Sequence, residues 1–495
     1  MKIVFLSLIF SLLSQFALAQ EKMDLVQQID DSTKLLQQLS GEPQQLETEF
    51  RNVYQFLLNV DPENYDIREL RRNTNRIVYK LAALRNSIRD HIESWKSKGI
   101  MTAQFEKELR AMIRATHYLT DYVAEISMDN QTVAKGQKAR KAFSAGAPWT
   151  NTLDGQPMNF ENFKSGDIIL MRGSSAVSAS IARIADQKSV FSHVAIVYVD
   201  EKTKEKFLIE SLIDSGVVIN PLTKALEASA ARMSLMRPVD QELGRRAAQI
   251  GYDLVMDSFK RGKPFLYDFT MSMDKPDMNN LDNLKMPCTK VISWFYDLAS
   301  EGRMTVPYLL SRMDPKNRTF LDRLQISEQT KAIFAPGDID LEPTSRFKTI
   351  AEFREPQKTA GLRTDDLIFD KIFEWMERDG LVFNEPLIYK LIGSTAHYAS
   401  HISAIRKLAQ VLHLGIAPHM PPEVISTVIM LQLMRDSVLK AITPEMERYQ
   451  KEKGFPATPK VVYTLLEQTY KNNPEQLKFL VKSGAAKSCR VATSR

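Results

Sequence analysis

The 495-residue sequence carries 66 Lys and Arg against 60 Asp and Glu, a net charge of +6, and 44% of its residues are hydrophobic. The basic residues are spread along the chain, which argues against a nucleic-acid-binding protein, and two cysteines are too few for a disulfide framework. The length allows two or three domains with ordinary hydrophobic cores.

The chain begins with the features of a secretory signal peptide. Lys2 precedes an apolar run at residues 3–10, and small residues follow at Ala17 and Ala19. The run is too short to span a bilayer comfortably, although an uncleaved anchor is the alternative. We expect a signal peptide over residues 1–19, cleavage after Ala19, and a periplasmic or secreted protein without a transmembrane span.

A helical region follows, predicted over residues 20–145. Near-heptad apolar stripes run through 70–95 and 105–126 and are joined by a short turn that contains glycine. This spacing predicts an antiparallel helical hairpin that packs on its neighbour. A coiled coil that binds a protein partner is the alternative. Two shorter helices are predicted before the hairpin, around 23–39 and 46–58.

The pattern changes after residues 128–152, which are polar, rich in Gly, Ala and Lys, and typical of a linker. Short runs rich in β-branched residues then predict strands. These runs are GDIILM (166–171), HVAIVYV (193–199), KFLIESL (206–212) and GVVINPL (216–222). Helical patterns near 242–260 and 288–300 and an extended segment at 333–353 complete an α+β domain, which we place at residues 146–357.

Helical periodicity returns over the C-terminal region, residues 358–495. Its apolar run at 424–434 is too short for a membrane span and is interpreted as a buried helix. His397 and His401 stand four residues apart and share a helix face, but Tyr398 occupies the position where the metalloprotease pattern requires Glu. We therefore favour two helix-face histidines over a metal site.

The predicted strands bring two titratable residues together. The connection between 193–199 and 206–212 is short, so these strands should form an antiparallel hairpin with Val199 opposite Lys206. Side chains alternate between faces with a period of two, so His193 and Glu210 should share a face as diagonal neighbours. A register shift of one residue would separate them.

Cys288 follows Pro287 at the predicted start of a helix, where Thr289 is a candidate for the N-cap. Unpaired backbone N–H groups and the helix dipole favour a thiolate at this position. His193 could then accept the thiol proton while Glu210 orients the ring. A buried structural cysteine is the alternative, as is a disulfide with Cys489, which lies in a small, polar tail.

Five segments follow one another in an order that resembles the permuted papain-like amidases of the YiiX/YaeF type, relatives of the NlpC-type cell-wall hydrolases. They are FKSGDIILMRG, FSHVAIVY, LIESLIDSGVVINPL, GKPFLYDFTM and MPCTKVISWFY. In that family a Gly-Asp strand opens the domain, a Ser-His strand carries the base, a later strand carries Glu, and the cysteine comes last. The resemblance covers residues 160 to about 355 and implies a permuted papain-like core with an antiparallel sheet.

Carried over by position, the resemblance implies Cys288 as nucleophile, His193 as general base and acid, and Glu210 as the orienting carboxylate. Tyr267 matches a position near the substrate pocket. Asp167, in the Gly-Asp pair, is interpreted as structural. The family's Ser-Glu after the cysteine is replaced by Thr289-Lys290, a charge reversal that either alters the substrate or marks lost catalysis.

The leading hypothesis is therefore an exported cysteine amidase or peptidase that acts through a thioester. Its substrate is expected to be a peptidoglycan peptide or a related small amide, and the chemistry requires no metal or organic cofactor. One alternative is a lipid acyl hydrolase or acyltransferase on the same fold. The other is a catalytically inactive binding or scaffold module whose helical regions contact a protein partner.

Overall fold

The structure is a computed structural model, and it describes most of the chain. The predicted signal peptide, residues 129–149 of the predicted linker, His397, His401 and Cys489 lie outside the described residues. Those are 22–38, 43–128, 150–153, 158–173, 175–184, 189–227, 231–313, 318–323, 326–327, 329–386, 394 and 420–482.

The described residues form helices around one large sheet. The helices are α1 (Leu25–Gln38), α2 (Pro43–Leu58), α3 (Ile67–Arg72), α4 (Thr74–Ser97), α5 (Ala103–Ser127), α6 (Ala176–Ile181), α7 (Leu222–Glu227), α8 (Gln241–Lys260), α9 (Cys288–Ala299), α10 (Arg318–Arg323), α11 (Pro356–Arg378), α12 (Pro422–Lys453) and α13 (Pro459–Asn472). The strands are β1 (Thr150–Thr152), β2 (Ile168–Arg172), β3 (His193–Val199), β4 (Lys206–Leu212), β5 (Gly216–Pro221), β6 (Arg232–Pro238), β7 (Ser311–Arg312), β8 (Ala332–Ile333), β9 (Phe347–Arg354), β10 (Leu381–Phe383) and β11 (Leu480–Lys482).

A seven-stranded antiparallel sheet in the order β1-β9-β6-β2-β3-β4-β5 forms the centre of the fold. Helices α8 and α9 pack on one face, where residues such as Ile196 and Ile209 are buried. The short helix α7 covers the other face, where Val197 and Leu208 are buried. This arrangement confirms the predicted α+β fold with an antiparallel sheet and helical flanks.

The register of the β3–β4 hairpin confirms the sequence prediction. Val199 pairs with Lys206 and Ile196 pairs with Ile209. The same register places Glu210 beside Ala195 and diagonal to His193, on one face of the sheet. The hairpin loop therefore determines which side chains meet at the end of β3.

Sequence reasoning missed one central strand. Residues 232–238 (RMSLMRP) form β6, which pairs with β2 on one side and β9 on the other. The segment lacks β-branched residues, the signal used to identify the other strands. Both Ser234 and Leu235 are fully buried, as expected for a strand covered on both faces.

Two other predictions need correction at segment boundaries. The last residues of the predicted linker, 150–152, form the edge strand β1, which pairs with β9. The first part of the segment predicted as extended is a 3-10 helix at Pro336–Leu341, because Pro336 fixes a helical φ at its first position. The second part is β9, as predicted.

The N-terminal helical region contains the predicted antiparallel hairpin. Helices α4 and α5 pack against each other and against α1 and α2. The Thr102 hydroxyl accepts a hydrogen bond from the Phe105 N–H (3.0 Å) and caps the start of α5. Phe50, Trp95 and Phe105 meet edge to face in the centre of the bundle, with centroids 5.1–5.5 Å apart.

The C-terminal region is mostly helical but also contains β10 and β11, which pair with each other. Residues 424–434 lie within α12 and are largely buried, which confirms the predicted buried helix. Gly454 ends that helix with φ of +78°. Within the described residues, every helix is too short or too polar to cross a membrane.

Buried ion pairs join the helical regions to the sheet. Asp121 of α5 pairs with Arg232 of β6 and with Arg354 of β9, the latter at 2.9 Å. Asp366 of α11 pairs with Arg172 of β2 at 2.8 Å. These side chains are at most 2% exposed. Because removing one partner would leave the other charge buried and unpaired, the helical regions and the sheet depend on each other for stability.

Candidate active site

His193 and Glu210 form a hydrogen-bonded pair at the end of β3. His193 Nε2 lies 2.8 Å from Glu210 Oε2, the geometry expected from their diagonal positions on one face of the hairpin. The Asn220 side-chain amide on β5 donates to Glu210 Oε1 at 2.9 Å. Both carboxylate oxygens therefore have a partner, and Glu210 is held with only 6% of its surface exposed.

Cys288 is the first residue of α9 and is buried. The approach to it is fixed by hydrogen bonds from the Met286 N–H to the Leu266 carbonyl (2.9 Å) and from the Ser211 hydroxyl to the Met286 carbonyl (2.6 Å). Pro287 occupies the N-cap, and no side chain caps the helix. The prediction of Thr289 as N-cap is wrong, because Thr289 already lies in the first helical turn.

Cys288 lies close enough to His193 to influence the pKa of its imidazole. Since Nε2 of His193 is directed at Glu210, Nδ1 is the ring nitrogen that is available to the Cys288 sulfur. Burial alone would lower the pKa of His193, but the hydrogen bonds and negative charges of Cys288 and Glu210 raise it from 6.5 to about 10. The surroundings of His193 therefore favour its imidazolium form, and the unpaired N–H groups of the first turn of α9 begin at Cys288.

Tyr267 lies beside this group. It is 4% exposed, and burial, with the nearby charges of Cys288 and Asp268, raises the pKa of its phenol well above the usual value. The phenol therefore stays protonated over the ordinary pH range and can act as a hydrogen-bond donor. Its predicted role in substrate binding stays a prediction.

Tyr267 also forms part of an apolar pocket of about 40 Å³. Its walls come from four parts of the chain, namely α6 and the residues just after it, Ile213 after β4, the segment 267–271 and the region around the start of α12. The apolar wall residues include Val177, Ile181, Phe269, Met271, Met420 and Val424. The pocket offers a small apolar group a binding place beside Tyr267.

The part of the chain that contains these residues matches a known protein family. Residues 162–330 match the model of the permuted papain-like amidases, the YaeF/YiiX type, C92 family. The family consists of papain-like amidases, which are cysteine peptidases. The match covers about a third of the chain. No curated protein matches the chain.

The segment that matches the permuted papain-like amidases contains every residue that the family resemblance assigned to the site or its support. Asp167 is fully buried; its carboxylate accepts from the Lys164 N–H (2.8 Å) and pairs with Arg237 at 2.7 Å. These contacts brace the turn before β2, which agrees with the structural interpretation of Asp167. Cys288, His193 and Glu210 meet at one place, and Tyr267 borders it.

Lys290 does not face the imidazole. Two residues along a helix correspond to a rotation of about 200°, so Lys290 lies on the far side of α9 from Cys288. There it lines a separate cavity with Ser293 and Trp294. The charge reversal relative to the family pattern therefore leaves the Cys288–His193–Glu210 geometry intact.

Sequence reasoning missed two residues that support the site. Asn220 lies on β5 two residues beyond Val218, which pairs with Glu210, so it is a diagonal neighbour of Glu210 on the same face. The short turn between the strand predictions at 206–212 and 216–222 contained the signal for this contact. Ser211 carried no such signal, because its partner is a backbone carbonyl 75 residues away.

Proposed function

We propose that the protein is an exported cysteine hydrolase that cleaves an amide bond through a thioester at Cys288. The observation that supports this proposal most directly is that Cys288 lies beside the hydrogen-bonded pair of His193 and Glu210, within a segment that matches the permuted papain-like amidases. A structural cysteine requires no hydrogen-bonded imidazole and no buried carboxylate behind that ring.

In the proposed first step, the Cys288 thiolate attacks the amide carbonyl carbon and the carbonyl oxygen becomes an oxyanion. The N–H groups of the first turn of α9 can donate to that oxygen, since they have no partner within the helix. The His193 imidazolium then gives its proton to the leaving nitrogen. The C–N bond breaks, an amine leaves, and the acyl group remains on sulfur as a thioester.

In the second step, neutral His193 takes a proton from water, and the resulting hydroxide attacks the thioester carbonyl. The C–S bond breaks, and the carboxylic acid leaves while the thiolate–imidazolium pair forms again. Glu210 holds the ring in the required orientation and stabilises its positive charge, and Asn220 holds Glu210. No step requires a group that these residues do not supply.

The proposed substrate is a peptidoglycan peptide or a related small amide. Two arguments support this class: the predicted signal peptide directs the protein to the periplasm or beyond, and the family resemblance includes cell-wall hydrolases. A second candidate, cleavage or transfer of a lipid acyl group, is favoured by the apolar pocket beside Tyr267. Its walls carry no charged side chain among the described residues, and its volume of about 40 Å³ suits a small apolar group, such as the end of an acyl chain, better than a charged one.

The test is incubation of the purified wild type and the Cys288→Ala variant with muropeptides and, separately, with phospholipid vesicles. Mass spectrometry of the products is expected to show a new amine and carboxylic acid from muropeptides, in the wild type only. Products from the vesicles alone would replace the first substrate class with the second. If neither substrate gives a wild-type-specific product, the hydrolase proposal fails for both classes.

A further inference from the structure

A second and larger cavity lies on the far side of α9. It encloses about 700 Å³ between α9, residues 273–276 and residues 305–312, and the edge of the helical bundle closes it. This volume is within the range of about 300–1,000 Å³ that is usual for small-molecule sites. Among its described lining residues are neither Cys288 nor His193, so the cavity is distinct from the proposed catalytic site.

Lys290 is the unusual residue in this cavity. It is 6% exposed, and within the described part of the chain no oxygen accepts a hydrogen bond from its ammonium group. Burial lowers its pKa, and the charges of Asp268 and Asp274 oppose this effect only in part. The side chain of Lys290 is largely buried, but its ammonium reaches the cavity and has no carboxylate within ion-pair distance among the described residues, so this position favours a ligand that brings a negative charge.

Most of the other charged side chains at the cavity have a partner or are exposed to solvent. Arg312 pairs with Glu106 at 3.2 Å, Lys275 pairs with Asp297 at 2.9 Å, and Lys96 donates to the Tyr308 carbonyl at 3.1 Å. Asp274 and Lys331 carry opposite charges and are exposed. Lys290 is therefore the buried cation at which an anionic group would gain most, since exposed pairs contribute little.

The rest of the wall is largely apolar. Trp294 and Leu309, both buried, line it together with Pro307. The Tyr308 ring, in contrast, is covered by the cations of Lys96 and Arg346. Aromatic side chains and proline rings present flat apolar surfaces on which an aromatic or aliphatic body can pack. The cavity thus combines one unpaired buried cation with an apolar wall.

We propose that this cavity binds an amphipathic organic monoanion, whose carboxylate pairs with Lys290 and whose apolar body packs against Trp294, Pro307 and Leu309. One ammonium matches one carboxylate, whereas a phosphate dianion would need a second cation or a set of backbone N–H donors. The inference does not depend on the proposed hydrolase activity, because the residues that carry it lie outside the Cys288–His193–Glu210 group.

The probes are 4-phenylbutanoate, its uncharged analogue 4-phenylbutanol, and inorganic phosphate, each titrated calorimetrically into the full chain. We expect 4-phenylbutanoate to bind with the highest affinity. The Lys290→Met variant, of similar volume, should weaken it at least about tenfold, because a hydrogen bond to a charged group is lost. Lys224→Met, which removes an exposed lysine of α7, is the matched control and should leave the affinity unchanged.

A second readout does not require a variant to fold. Acetylation of lysines by a limiting amount of acetylating reagent, mapped by mass spectrometry, should become slower at Lys290 when 4-phenylbutanoate is bound, while Lys224 is modified at the same rate. Equal affinity for the acid and the alcohol would overturn the proposal. So would tighter binding of phosphate, or binding that neither the Lys290→Met substitution nor protection of Lys290 detects.

Discussion

Replacing Glu210 by Gln tests the role of the carboxylate behind His193 without changing its size. In the native site one oxygen faces His193 Nε2 at 2.8 Å and the other accepts from Asn220 at 2.9 Å. A glutamine amide has one oxygen and one NH2 group, so it cannot accept from both neighbours. The NH2 group of the glutamine must then point at either His193 or Asn220, and the hydrogen bond to that residue is lost.

The magnitude follows from the interaction that is lost. A hydrogen bond to a charged group contributes about 1.5–3 kcal/mol, and about 1.36 kcal/mol corresponds to one pKa unit. Since Glu210 and Cys288 raise the pKa of His193 to about 10, the substitution should lower it by about one to two units. The value of kcat/KM should fall roughly ten- to a hundredfold.

The direction of the pH effect is fixed by the sign of the shift. The imidazolium is required for transfer of a proton to the leaving group, so activity should decline as pH rises through the pKa of His193. The alkaline limb of kcat/KM, near pH 10 in the wild type, should move to lower pH in Glu210→Gln. The ion pair's contribution to stability, present below pH 6.5 and lost as pH rises through about 10, should shrink in the same variant.

The assay is kcat/KM against pH on the substrate identified by mass spectrometry. Glu205→Gln is the matched control, because Glu205 lies just before β4 in the same hairpin and is exposed. An alkaline limb that stays in place in Glu210→Gln, or moves to higher pH, would refute the argument that this carboxylate stabilises the imidazolium.

Three further substitutions test other parts of the account. Asn220→Ala should reduce kcat/KM about tenfold with little change in KM, because it removes a hydrogen bond of about 1.5–3 kcal/mol to the charged carboxylate of Glu210; an unchanged rate would contradict a positioning role. Asp366→Asn should lower the free energy of unfolding by about 3–5 kcal/mol, measured by urea denaturation, since it leaves Arg172 without its buried partner; a loss below 1 kcal/mol would contradict the coupling of α11 to the sheet. Ile181→Phe narrows the apolar pocket and should raise KM for acyl-lipid substrates more than for muropeptides, and the opposite order in steady-state kinetics would argue against the pocket as an acyl site.

The parts of the fold that sequence reasoning predicted are those determined by local pattern. The loop between β3 and β4 sets the register, and the period-two alternation then places His193 and Glu210 on one face. Pro287 marks the helix start that puts Cys288 in the first turn. These features depend on residues close together in the sequence, so the amino-acid sequence alone is enough to predict them.

The parts that were missed depend on distant partners. Strand β6 has no β-branched residues and is defined by its neighbours β2 and β9. The pairing of Asp121 with Arg354 joins residues 233 positions apart, and no local pattern identifies such a pair. The sequence shows Lys290 as a departure from the family pattern, but only the helix geometry shows that it lines a separate cavity.

The most direct test of the central claim is the rate of alkylation of each cysteine by iodoacetamide between pH 5 and pH 8, mapped by mass spectrometry. The account predicts that Cys288 reacts faster than Cys489 near neutral pH and that the rate at Cys288 falls in His193→Ala. Slow and equal labelling of both cysteines, unchanged by the loss of His193, would contradict a thiolate–imidazolium pair at this site.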